Sequence, residues 1–156
     1  MENEAVQANK RVPLAVAEAI GGIIPRLVQQ GTFEGGTARV VIAALKAIAQ
    51  SEDKRLIPQQ LCEWTRTLLQ AIDIIRVENT ESEVLNLLSA VDRLDPQFLS
   101  ALVHNDCPSL PTCNIRAVVL AIRRVEGKDS SLLDYILKRD WCPKEVKSLI
   151  LEFRGA

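Results

Sequence analysis

The stretch VLNLLSAVDRLDPQFLSALVHNDCP, residues 84–108, decides the fold. Val84, Leu87, Leu88, Val91 and Leu94 recur every three or four positions, the period of one buried helical face. Thr80-Glu81-Ser82-Glu83 precedes them in the form of a capping box. In such a box the Thr80 hydroxyl and the Glu83 carboxylate each reach an orphan backbone N–H. Asp95-Pro96 then reads as the cap and first-turn proline of a second helix carrying Phe98, Ala101 and Leu102. That helix is expected to stop before Cys107-Pro108, because a residue that precedes proline is pushed out of the helical region.

Moving toward the C-terminus, the same order returns. VLAIRRVEGKDSSLLDYILKRDWCP, residues 119–143, matches 84–108 at an offset of 35: Val84 with Val119, Leu87 with Ile122, Phe98 with Leu133, Leu102 with Leu137, and Cys107-Pro108 with Cys142-Pro143. Each unit is a longer helix, a break, a shorter helix and then Cys-Pro. Gly127 is the expected stop of the first helix of this unit, and Asp129 or Ser130 the cap of the second. A last helix carries Val146, Leu149, Ile150 and Phe153 and ends at Gly155. Units of this kind bury their stripes only by stacking on neighbours. A chance likeness between two unrelated amphipathic helix pairs is the competing reading.

Toward the N-terminus the pattern loosens. Thr37 caps a helix with Val41, Ala44, Leu45 and Ile48 on one face, and Pro58 starts another with Leu61, Trp64, Leu68 and Ile72. Residues 41–62 read as a degenerate third copy. Pro13 opens a segment with Val16, Ile20, Ile23, Ile24 and Leu27 at helical spacing, interrupted by Gly21, Gly22 and Pro25 and stopped by Gly31. Residues 1–12 read as a polar tail and 13–156 as a single all-α domain. No segment alternates with period two long enough to argue for a sheet.

VLNLLSAVDRLDPQFLSALV resembles a unit of the armadillo/HEAT-like helical-hairpin superfamily. It is also similar to the hairpins of octotricopeptide-type and FAST-kinase-like organellar RNA-binding proteins. The likeness covers roughly residues 80–156 and rests on aliphatic spacing and turn residues. It implies antiparallel helix pairs stacked as a short right-handed superhelix that binds protein or RNA, with a plain helical bundle as the alternative. It carries over no functional residue.

Composition narrows the rest. The chain of 156 residues is 47% hydrophobic but only 4% aromatic, so its core must be built of Leu, Ile, Val and Ala. The net charge of −1 argues against non-specific nucleic-acid binding. Basic residues nevertheless gather late: residues 113–156 hold 9 basic and 6 acidic side chains, against 10 and 14 before them. No secretory signal precedes the four cysteines, and no run approaches the roughly 20 apolar residues of a membrane span. The expectation is an intracellular chain, in cytoplasm, nucleus or an organelle, with free thiols.

Chemistry is sparse. His104 beside Asp106 and Cys107 suggests a Cys–His pair, but catalytic partners usually meet through the fold and not as sequence neighbours. His104, Cys107, Cys113 and Cys142 lack the paired spacing of a zinc site, and Cys before Pro is an ordinary helix start. Gly21-Gly22 and Gly35-Gly36 lack a P-loop lysine. The reading is therefore of a non-catalytic module with no cofactor and no metal. It is expected to bind a partner helix or peptide, with RNA as the alternative ligand and no membrane. Arg116, Arg123, Arg124, Tyr135, Lys138, Arg139 and Trp141 are its candidate contacts. Arg116 and Arg123, seven apart, share one helical face.

Overall fold

A computed structural model describes residues 37–50, 58–70 and 80–155, together with Ala19. The segment expected to open at Pro13, both glycine pairs and Ile72 lie outside the described residues. Seven α-helices appear within them: α1 (Thr37–Ala49), α2 (Pro58–Leu69), α3 (Glu81–Leu94), α4 (Phe98–Ala101), α5 (Thr112–Glu126), α6 (Ser131–Leu137) and α7 (Lys144–Gly155). A π turn (Leu102–Asp106) and a 3-10 turn (Cys107–Ser109) follow α4 directly. Among the described residues there is no strand, and no helix is long and apolar enough to cross a membrane.

The helix α3 is the centre. Its stripe of Val84, Leu87, Leu88 and Val91 is at most 1% exposed, and it packs against α1, α2, α4 and α5. Side-chain ties fix the direction of its neighbours. Arg116 Nε lies 2.9 Å from Glu81 Oε2, and Arg124 Nη1 donates to Asn86 Oδ1 at 2.6 Å. Both pairs ascend together, so α3 and α5 run in the same sense. The first turns of α1 and α3 meet at Arg39 and Glu83, 3.8 Å apart. The last turns of α5 and α7 meet where the Arg123 guanidinium lies over the Phe153 ring.

The shorter segments form a second row. Cys62 Sγ donates to Asp95 Oδ2 at 3.7 Å, and further along Arg66 pairs with Asp106, so α2 and the α4–π segment also run together. His104 of the π turn meets Tyr135 of α6 edge-on, with ring centroids 4.5 Å apart. The end of α7 turns back on the start of α6: Arg154 pairs with Asp134 and donates to the carbonyls of Lys128 and Ser130. The units 84–108 and 119–143 thus share their order of a longer then a shorter helical piece. Glu81 and Arg116, one offset apart, touch.

Two local expectations fail for physical reasons. Thr80 does precede α3, but its ψ of 21° is far from the extended value a cap needs, and its side chain makes no capping bond. Glu83 faces Arg39. Nor does the chain leave the helical region at Cys107. That residue keeps α-region angles (φ −53°, ψ −37°) although proline follows, and its N–H reaches back five residues to the Leu102 carbonyl. The wider π turn absorbs the steric demand of Pro108, and the break falls instead at Leu110. The two Cys-Pro pairs therefore differ, since Cys142-Pro143 lies in the bend that starts α7.

Ser130 caps α6 as expected, accepting from the Leu132 N–H at 3.1 Å. The expected cap at Asp95 shifts: Asp95 ends α3 and accepts from the Gln97 N–H at 3.1 Å, while Gln97 holds the cap position of α4 without a side-chain capping bond. The stop at Gly127 holds. Gly127 ends α5 with φ 93° and ψ 171°, a region open in practice to glycine alone. A β-carbon there would meet nothing within 4 Å, so Gly127→Ala tests backbone strain alone. It is expected to lower stability by about 1–3 kcal/mol in urea melts without a change in m-value.

Asp92 is 8% exposed and, among the described residues, accepts only the Leu99 N–H, at 3.4 Å. Burial, then the nearby Glu126 and Asp95 charges, push its carboxyl above the ordinary 3.8, against the Leu99 bond. A carboxyl that holds its proton more tightly when folded favours folding below that ordinary value. The benefit is lost as pH rises through the folded value, so ionised Asp92 is a net cost at neutral pH. Asp92→Asn is expected to raise the thermal midpoint by about 2 °C at neutral pH. That gain should vanish in melts run below 3.8.

Candidate functional site

The sequence-derived candidates fall into two groups, one on each row of helices. Arg116, Arg123 and Arg124 are exposed on the outer side of α5. Neighbours hold each of them: Glu81 for Arg116, Asn86 for Arg124, and the Phe153 ring 4.3 Å beneath Arg123. These contacts spread the three guanidinium groups over the seams that α5 makes with α3 and α7.

Tyr135 and Arg139 belong to the shorter-helix row. The Arg139 guanidinium lies 4.2 Å from the centre of the Tyr135 ring, and its Nε donates to the Tyr135 carbonyl at 3.3 Å. With His104 on the ring edge, Tyr135 is half-buried between two cationic or polar neighbours. Lys138 is exposed at the end of α6. Trp141 is half-buried against the core, as is Trp64, which the apolar stripe of α2 places there.

A third place escaped the sequence reading. An open cleft of roughly 420 Å³ separates α2 from α4, with Cys62, Glu63, Arg66, Asp95 and Phe98 among its walls. Beneath it Arg66 binds Asp106 through two bonds, Nε to Oδ2 at 2.5 Å and Nη2 to Oδ1 at 3.1 Å. Gln70 adds a longer one at 3.4 Å. Asp106 is 4% exposed, and its hydrogen bond is the first cause raising the Arg66 guanidinium above its usual value. Burial, then the Asp95 charge, push the Cys62 thiol up to about 12. A thiol held in its neutral form is a poor nucleophile.

The suspected Cys–His pair does not assemble. Cys107 is fully buried, and burial, followed by Asp106 and Cys142, raises its thiol to about 12. His104 is exposed on Tyr135, and Asp106 is taken by Arg66. All four cysteines are free thiols. Among the described residues, no three His, Cys, Asp or Glu side chains gather as a metal ion would need.

Compared with known proteins, no family model, no curated protein and no solved structure matches this chain.

Proposed function

We propose that this chain is a non-catalytic scaffold or complex subunit, an armadillo/HEAT-like stack that binds a partner protein segment on its longer-helix row. The observation that supports this reading best is the outer side of α5, where Arg116, Arg123 and Arg124 are all exposed. Arginine is among the residues that dominate protein interfaces. Here the groups are already oriented by Glu81, Asn86 and Phe153, so less side-chain freedom is lost when a partner arrives. A row of parallel helices also offers a broad surface to an extended peptide or a helix. The compartment that suits unpaired thiols is intracellular.

The test is a tagged full chain against its Arg123→Glu/Arg124→Glu variant, with folding checked by thermal melts. A specific protein bound by the wild type and lost by the variant supports the reading. Single-stranded RNA held by the wild type in a strongly salt-sensitive way would replace it with an RNA-binding one.

A further inference from the structure

The outer faces of α3 and α5 carry matching ridges. Glu81, Leu85 and Ser89 follow one another at four-residue steps along α3, and Arg116, Leu120 and Arg124 do the same along α5. Each residue of the first ridge is one repeat offset of 35 from its counterpart in the second. Residues at this spacing lie on one side of a helix, and all six are exposed or half-buried. Leu85 and Leu120 pack partly on the core and leave the rest of their side chains at the surface. Arg116 and Arg124 reach across the seam to α3, at Glu81 and Asn86. The two leucines therefore form a strip bounded by an arginine at either end.

Charge and spacing together select the occupant. Glu81 takes only the Nε of Arg116, and Asn86 only the Nη1 of Arg124, so the remaining N–H groups of both have no partner among the described residues. Arg123 and Arg124 rest on Phe153 and Asn86, which carry no charge, and neither makes an ion pair among the described residues. Glu126, in the same turn, accepts from the Ser130 hydroxyl. Carboxylates of a partner would supply the missing counter-charge. Arg116 and Arg124 stand eight residues apart on α5, about 12 Å along its axis. Two turns of a partner helix span about 11 Å and put residues seven positions apart on one side, with those at the third and fourth positions between them. Aliphatic side chains there would sit on Leu85 and Leu120. An extended segment has less to hold. There is no sheet edge among the described residues, and the strip has no aromatic side chain of the kind that grips a polyproline chain.

We propose that α3 and α5 receive a helix of a partner protein that carries carboxylates two turns apart, on Arg116 and Arg124, and aliphatic side chains midway, on Leu85 and Leu120. This partner chemistry rests on the longer-helix row being the binding row. The probe is a fluorescein-labelled, alanine-based helical peptide with two glutamates seven positions apart and two leucines midway, titrated with the full chain and read by anisotropy. The wild type should bind it, and Arg124→Glu, with folding checked by thermal melts, should weaken binding about tenfold. Replacing both peptide glutamates by glutamine should weaken binding to the wild type about as much, with the protein untouched. Arg116→Glu/Arg124→Glu should instead prefer the peptide with lysines in place of the glutamates. No peptide bound by the wild type overturns this partner chemistry alone. If a peptide with adjacent glutamates, or an extended acidic peptide broken by proline, binds as tightly and still depends on Arg124, the helix and its spacing are wrong but the row still binds. Peptide binding that Arg124→Glu leaves unchanged overturns the row as well. A single-stranded uridine oligonucleotide bound more tightly than any of the peptides makes nucleic acid the occupant and overturns both.

Discussion

Leu88→Ala is expected to lower the unfolding free energy by about 2–5 kcal/mol. Leu88 is 0% exposed on α3, and α3 is the helix on which α1, α2, α4 and α5 all pack. Removing three carbons there loses their transfer energy and leaves a void. The walls of that void belong to several helices, which cannot all close on it at once. Leu151→Ala provides the control. Leu151 is 59% exposed on α7, so the same chemical change should fall within about 0.5 kcal/mol of no effect. Urea titrations of both variants at matched m-value measure the contrast. A loss below about 1 kcal/mol at Leu88 would mean that α3 does not hold the other helices together.

That central place was legible because Val84, Leu87, Leu88 and Val91 keep helical spacing without interruption, and buried aliphatic spacing is a local signal. Gly127 and Ser130 were legible for the same reason: a positive φ and a free N–H each demand particular residue types at one position. Failures came where a local preference met a tertiary one. Thr80 has the right neighbours for a capping box, yet its backbone angle is set elsewhere and Glu83 is drawn to Arg39. Cys107-Pro108 should have broken the helix, but Asp106 must reach Arg66 on α2, and the extra residue of a π turn accommodates both demands. Among the site candidates, spacing correctly placed Arg116 and Arg123 on one exposed side. It could not reveal that Tyr135 and Arg139 belong to the other row, nor that Arg66, in the wall of a cleft, pairs with Asp106, 40 residues away.

The Arg66–Asp106 pair supplies the second large effect. Arg66→Ala is expected to cost about 2–4 kcal/mol, because it strands a carboxylate that is 4% exposed. Gln70, at 3.4 Å, is the remaining donor among the contacts of that carboxylate and forms a weak bond at that length. Arg66 itself keeps 38% of its side chain in solvent, so solvent screening places the expected cost at the lower end of that range. The pair should behave unlike a simple sum. In Arg66→Ala/Asp106→Leu no charge is left buried, and an aliphatic side chain fills the space between α2 and the π turn. The double variant should therefore be more stable than Arg66→Ala alone, by at least about 1 kcal/mol in a double-mutant cycle. If instead the double variant falls by the sum of two large losses, the carboxylate does more than balance a charge. It would then be what holds Leu102–Asp106 in its π form, through bonds to Arg66 and Gln70 that leucine cannot make.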